Sequence, residues 1–212
     1  KNFKKYSILD RFNVSRGTCI DFEKFISLIR EKNQEINIIS KKTDKTSIIR
    51  ERHIIDSAQA IDFIDINDTI CSDLGSGGGL PGIVLAIMMK NLNKSMKFKL
   101  YEKSHHKSVF LRDVSKQLNL NTEVIEQNIF EMSNLSSDTV IGRAFKPLPI
   151  VLELMTKNFA NYKNLILFMG KNGKQALNDA FKVWKFEYKE KMSLTNDDSF
   201  LIKIKNIKKK FE

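Results

Sequence analysis

Cysteine is scarce in this chain. Its 212 residues hold two, Cys19 and Cys71, far apart and in no metal-ligand spacing. That pattern excludes a disulfide framework and a cysteine-based metal centre. Two reduced, buried thiols in a cytoplasmic protein are the expectation. Long apolar runs are missing as well. The longest, 80–89, has the length of a buried helix and falls far short of the roughly 18 residues of a membrane span. No secretory leader is visible, although a start at Lys1 rather than Met leaves a removed leader open. Acidic residues are outnumbered, 25 against 36 basic ones, for a net charge of +11. Such a balance calls for an anionic partner, and nucleic acid or an anionic membrane are the usual ones. With 42% hydrophobic residues the chain can bury a real core.

No internal repeat or low-complexity linker divides the chain. Phe22, Phe25, Ile26, Ile29, Ile36 and Ile39 recur at helical spacing, which predicts an amphipathic helix over 21–39, bent near Asn33. A second helix is predicted over 45–63, so residues 1–65 read as a helical extension packed on the rest of the chain. From residue 66 to 212 strands and helices alternate. Strands are predicted at 69–74, 97–102, 122–125, 139–142 and 164–169, and helices at 80–91, 107–118, 148–158 and 174–181. This rhythm argues for an α/β fold whose parallel sheet carries helices on both faces. Two further strand-like runs, 182–189 and 199–205, flank the turn signal Thr195-Asn196-Asp197-Asp198 and predict a hairpin that adds antiparallel strands.

Five glycines fall between Gly75 and Gly82, directly after a predicted strand and before a predicted helix. Glycine permits positive φ and a close approach of ligand to backbone, and the helix start offers free N–H groups to an anionic or polar ligand. The run from Gly77 to Gly82 satisfies the dinucleotide pattern G-x-G-x-x-G, so a nicotinamide-dependent oxidoreductase is one alternative. Its register is poor, because the pattern begins four residues after Asp73. A phosphate-binding P-loop is excluded, since no Gly-Lys-Ser/Thr closes the loop. Asp73, at the end of the first strand, suits the ammonium of a methyl donor, S-adenosylmethionine. Glu102, at the end of the second, suits the two hydroxyls of a ribose.

The order and spacing of four pieces are more specific than the loop alone. They are Arg52-His53-Ile54-Ile55-Asp56-Ser57, then Asp73 to Gly82, then Glu102-Lys103-Ser104 with Lys107 and Phe110-Leu111, and last Arg143-Ala144-Phe145. Over roughly residues 36–204 the chain resembles the bacterial small-subunit ribosomal RNA guanine-N7 methyltransferases, the glucose-inhibited division protein B family. The resemblance implies a class I S-adenosylmethionine-dependent methyltransferase (Rossmann-like) sheet and methyl transfer to N7 of one guanine of 16S rRNA. The substrate would be the small ribosomal subunit or its assembly intermediate. By position, Gly75, Gly77, Gly78 and Leu80 would line the donor, Glu102 would hold its ribose, and Ile129 and Phe130 would flank its adenine. Arg143 would face the reaction centre as the catalytic residue and would also contact the donor. A lysine common to the family before a glycine has moved here to Lys171, after Gly170. The remaining alternative within the fold is a methyltransferase acting on another RNA or a small molecule.

Guanine N7 carries a lone pair and no proton, so no general base is demanded, and the lack of a Ser–His–Asp or Cys–His set is consistent with that chemistry. His53 and Asp56 are expected to pair on one helix face. No metal is expected. Three basic stretches are candidate RNA-phosphate surfaces: Lys41, Lys42, Lys45, Arg50 and Arg52; Lys97 through Lys116; and Lys203 through Lys210. A monomer without membrane attachment is the expected form.

Overall fold

The computed structural model describes residues 3–211. Lys1, Asn2 and Glu212, at the ends of the two expected segments, lie outside the described residues. Within it the predicted alternation becomes a seven-stranded mixed sheet. In chain order the strands are β1 (Ile70–Leu74), β2 (Lys97–Tyr101), β3 (Thr122–Ile125), β4 (Leu135–Ser136), β5 (Thr139–Arg143), β6 (Phe159–Asn161), β7 (Asn164–Met169), β8 (Trp184–Met192) and β9 (Phe200–Lys209). The order across the main sheet is β3-β2-β1-β5-β7-β9-β8, and β4 pairs with β6 apart from it. From β3 across to β7 the main sheet is parallel, while β9 is antiparallel to β7 and to β8. The C-terminal hairpin is therefore present, with strands longer than its sequence pattern indicated. After β1 the chain builds outward to β2 and β3, then returns to β5 on the other side. That reversal leaves a crevice at the carboxyl ends of β1 and β5, the usual place for a ligand in an open α/β sheet.

The N-terminal segment departs from the simple helix pair. A 3-10 helix, Phe3–Phe12, buries Tyr6, Leu9 and Phe12 at every third position. Helix α1 (Arg16–Lys32) starts earlier than its hydrophobic pattern suggested, because Ser15 caps it by accepting from the Thr18 N–H at 3.1 Å. Asn33 ends that helix rather than bending it. Its side-chain oxygen accepts from the N–H groups of Ile38 and Ile39, at 2.9 and 3.0 Å, and folds the chain back. The second predicted helix is a composite: α2 (Thr46–Ile49), a π-helical turn (Arg50–Ile55), α3 (Asp56–Ala58) and a 3-10 turn (Gln59–Phe63).

These elements pack on one face of the sheet with α4 (Gly82–Leu92) and α5 (His105–Gln117). Phe22, Phe25, Ile49, Ile54, Ile83, Leu85 and Phe98 share that core. Each such side chain contributes about 1.5–3 kcal/mol on burial. Helices α6 (Leu148–Asn158) and α7 (Gly173–Val183) cover the opposite face around Val151, Leu152, Leu177 and Trp184. A bidentate ion pair ties the extension together: Arg50 Nε and Nη2 donate to the two Glu23 oxygens at 2.8 and 2.9 Å, and the Tyr6 hydroxyl donates to the same carboxylate. Arg50, which the sequence suggests as part of an RNA surface, is buried here.

Removing one partner of a buried pair strands the other charge. Glu23→Ala is expected to lower unfolding free energy by about 2 kcal/mol, the modest value reflecting a partly exposed carboxylate. Urea denaturation of Glu23→Ala and Glu23→Gln checks it; equal stability of Glu23→Ala and the unaltered chain would show that the pair is idle.

Candidate active site

The glycine loop leaves β1 and is cinched by two carboxylates. Asp73 Oδ2 accepts from the Gly82 N–H at 3.1 Å, so the last residues of β1 hold the start of α4. Glu102, just past β2, accepts through Oε2 from the Gly77 N–H at 2.9 Å and through Oε1 from the Ser104 N–H at 2.8 Å. The Ser76 hydroxyl donates to the Asp73 carbonyl, and the Ser76 N–H to the Tyr101 carbonyl at 2.9 Å. Gly75 takes φ of 63°, a left-handed conformation that an L side chain rarely adopts. A Cβ there would also overlap the Phe145 ring. Gly78 is pressed against the N-terminal segment, where a Cβ would meet Ile38 Cγ2 at 2.8 Å.

A cleft of about 370 Å³ opens at this loop, lined by Gly75, Tyr101, Glu102, Lys103, Gln127 to Phe130 and Ala144 to Lys146. Of the residues singled out from sequence, Gly75, Glu102, Ile129 and Phe130 meet there. Asp73, Gly77, Gly78, Leu80 and Arg143 are not among its lining residues. Asp73 is fully buried beneath the loop, and its Oδ1 has no hydrogen-bond partner among the described residues. Burial pushes its carboxyl up to about 7; the Glu102 charge adds to that rise and the Gly82 N–H opposes it. Gly77 presents its N–H to Glu102, and Leu80 packs against the core.

Arg143 faces the N-terminal segment. Its Nη2 pairs with Asp56 Oδ2 at 2.8 Å and donates to the Arg52 carbonyl at 2.6 Å, and Nη1 approaches His53 Nδ1 at 3.3 Å. The π-helical turn carries Arg52 and His53, and Asp56 follows it. The expected His53–Asp56 pairing is therefore bridged by the guanidinium. Asp56 Oδ1 meanwhile accepts from Gln59 Nε2 at 2.8 Å and the Thr195 hydroxyl at 2.9 Å, which brings in the β8–β9 connection. His53 Nδ1 faces a donor, so Nε2 carries the hydrogen and donates to the Thr43 hydroxyl at 3.2 Å. Burial, then the charge of Arg143, lowers its pKa to about 4, against a partial lift from Asp56. The ring is neutral at physiological pH and both its nitrogens are engaged.

A second cleft of about 370 Å³ lies between the carboxyl ends of β5 and β7, lined by Phe145, Lys146, Leu148, Phe168 and Lys171 among others. The sequence points to Lys171, and to Phe145 only as the last member of a motif. The signal for Phe145 is an aromatic two residues beyond a strand-end arginine. The basic stretches separate in space. Lys103 and Lys146 rim the first cleft, and Lys171 the second. Lys41, Lys42 and Lys45 flank Thr43, the partner of His53, and Lys41 and Lys42 are exposed. The C-terminal lysines go elsewhere: Lys209 pairs with Trp184 at the start of β8, and Lys208 and Lys209 border Phe159 and Tyr162. Because β9 begins beside Met169, its ten residues carry Lys208 and Lys209 about 30 Å from the clefts, while Lys203 sits mid-strand opposite Ile166.

Two titrations probe this geometry. Asp73 is raised in the folded state, so its contribution to stability is lost as pH climbs from about 4 through 7. The stability of Asp73→Asn relative to the unaltered chain is expected to rise by about 1 kcal/mol per pH unit across that window, read by urea unfolding; a flat difference would mean that the carboxyl titrates normally. His53 is depressed, so its contribution is present above about 6.5 and lost as pH falls through 4. NMR titration of its ring is expected to show a higher midpoint in Arg143→Gln, and an unchanged midpoint would contradict the contact.

Similarity to known proteins agrees with this geometry. The family model GidB, rRNA small subunit methyltransferase G, matches residues 18–200. The chain is 57% identical over 208 residues to ribosomal RNA small subunit methyltransferase G of Pelagibacter ubique, covering 98% of each. It is 34% identical to the protein of that name from Orientia tsutsugamushi (strain Ikeda), covering 92% of this chain and 93% of the relative. Among solved structures, an S-adenosylmethionine-dependent methyltransferase from Aquifex aeolicus superposes with a TM-score of 0.56 at 14% identity, covering 77% of this chain and 95% of its own. The 16S rRNA methylase RmtB superposes with a TM-score of 0.54 at 10% identity, covering 86% and 74%. These two share the fold. The sheet order is that of a methyltransferase fold, and the chain belongs to the rRNA small subunit methyltransferase G (GidB) family.

Proposed function

We propose that the chain transfers a methyl group from S-adenosylmethionine to N7 of a guanine in small-subunit rRNA. It acts as a cytoplasmic monomer whose residues 1–65 form an extension on the methyltransferase domain 66–212. The observation that carries the site assignment is Glu102: a buried carboxylate at the wall of the loop cleft, anchored by two backbone N–H groups. Each of its oxygens keeps a further lone pair, so it accepts from the vicinal hydroxyls of a ribose without giving up the loop. Phe130 and Ile129 offer the apolar surface for an adenine, and Gly75 lets the donor's chain pass close to the backbone. Asp73, buried beneath the loop and outside the cleft lining, shapes the loop through its bond with the Gly82 N–H.

The donor supplies the electrophile, a methyl group on a cationic sulfonium. The protein's work is alignment and exclusion of water around a base held out of its stack. N7 needs no deprotonation, and this chain keeps His53, the histidine beside Arg143, neutral and occupied on both nitrogens. Arg143 then serves the reaction by holding the end of β5 against the N-terminal segment. Lys103, Lys146 and Lys171 rim the clefts as phosphate contacts.

Incubation with isolated small subunits, intact ribosomes and naked RNA in the presence of radiolabelled donor, followed by nucleoside digestion, tests the proposal. Expected is labelled 7-methylguanosine from at least one substrate, reduced about 10-fold or more by Glu102→Gln at limiting donor. Label on another nucleoside, or none, would refute it.

A further inference from the structure

Phe145 is the wall that the two clefts share. On one side, its ring lies over Gly75 so closely that no Cβ fits between them. It also stacks nearly parallel to Phe130, with centroids 5.8 Å apart and planes at 12°. Gly75 follows β1 and Phe130 follows β3, so the ring spans the mouth of the cleft that Glu102 lines. On the other side, residues 144–146 also bound the cleft with Phe168, Leu148 and Lys171. The chain around the ring is suited to a pivot. Arg143 is clamped by Asp56, Arg52 and His53, and α6 starts at Leu148. Between them Ala144 is exposed and left-handed, with φ of 49°, and Lys146 and Pro147 are exposed.

We propose that Phe145 is a positioning residue with two seats. In the first it rests on Gly75 and Phe130 and covers the donor cleft. In the second it turns toward the Phe168–Lys171 cleft and offers its face to a planar base. This inference rests on the methyl-transfer reading above. Seating of the donor beside Gly75 requires the ring to leave its first seat, so donor affinity carries the cost of breaking the Phe130 stack. In its second seat the ring becomes a stacking platform for the target base, which any purine face can use. Occupancy of one cleft is thereby tied to readiness of the other, through one side chain and without a large movement of the fold.

The two seats predict that loss of the ring separates donor binding from methyl transfer. Phe145→Ala is expected to bind S-adenosylhomocysteine as tightly as the unaltered chain or up to about tenfold more tightly, by isothermal titration calorimetry. At saturating donor its single-turnover methylation of the RNA substrate is expected to slow by about tenfold or more, since the base loses its platform. Phe145→Tyr, which keeps the ring face, is expected to stay within about threefold of the unaltered chain on both readouts. A ring that merely supports the cleft wall would weaken both steps together. Weaker homocysteine-product binding by Phe145→Ala, or methylation within threefold of the unaltered chain, therefore overturns the proposal. Should Phe145→Ala not fold, Phe145→Leu is read by the same two criteria. Absence of methylation by the unaltered chain would refute the functional reading itself; normal methylation by it with an indifferent Phe145→Ala would refute only the role of the ring.

Discussion

The site depends on one constraint: a glycine loop with little shape of its own is held by two buried carboxylates from adjacent strands. Asp73 fastens the far end of the loop at Gly82, and Glu102 fastens its middle at Gly77. Burying a carboxylate is costly unless hydrogen bonds offset the lost hydration. Here backbone N–H groups do so in part, and Asp73 still carries an oxygen unpartnered among the described residues and a raised pKa. The same bonds that shape the loop place Glu102 at the cleft wall. Loop geometry and the proposed ribose recognition are consequently properties of one side chain, and neither is separable by substitution at that position.

A second tie joins the extension to the sheet. Arg143 ends β5, yet its guanidinium is spent on Asp56, Arg52 and His53 from the N-terminal segment, and Asp56 reaches on to Thr195 in the β8–β9 connection. Three parts of the chain, distant in sequence, meet at this ion pair. The π-helical turn is what makes the meeting possible, since it presents the Arg52 carbonyl and His53 ring toward Arg143. Such turns recur at functional sites because they re-aim groups that a regular helix would send elsewhere. The residues just beyond Arg143 are thereby given a rigid starting point, from which Phe145 reaches both clefts.

Much of this architecture is legible in the sequence. The strand–helix alternation locates the main parallel strands to within a residue or so, and the turn at Thr195 to Asp198 marks the hairpin. Gly75, Glu102, Ile129 and Phe130 converge as local motif positions at strand ends should. The features that sequence does not reveal depend on distant partners. Nothing in Arg50 to Ile55 announces a π turn, because the groups that use it include Arg143. Asn33 reads as a bend until its side chain is seen to hold Ile38 and Ile39. The lysines of the C-terminal run read as one RNA-phosphate surface, but an antiparallel β9 spreads them along the sheet and carries Lys208 and Lys209 to the end away from the clefts. Phe145 gains its meaning only from the contact with Gly75, 70 residues earlier in the chain.

The proposed seat of the methyl donor is the cleft between Gly75, Glu102 and Phe130. A crystal structure of the chain with S-adenosylhomocysteine tests it most directly. Expected is a ribose whose hydroxyls donate to Glu102, with the adenine against Ile129 and Phe130. A ligand seated away from Glu102, whether in the Phe168–Lys171 cleft or on the outer face of the sheet, would contradict it.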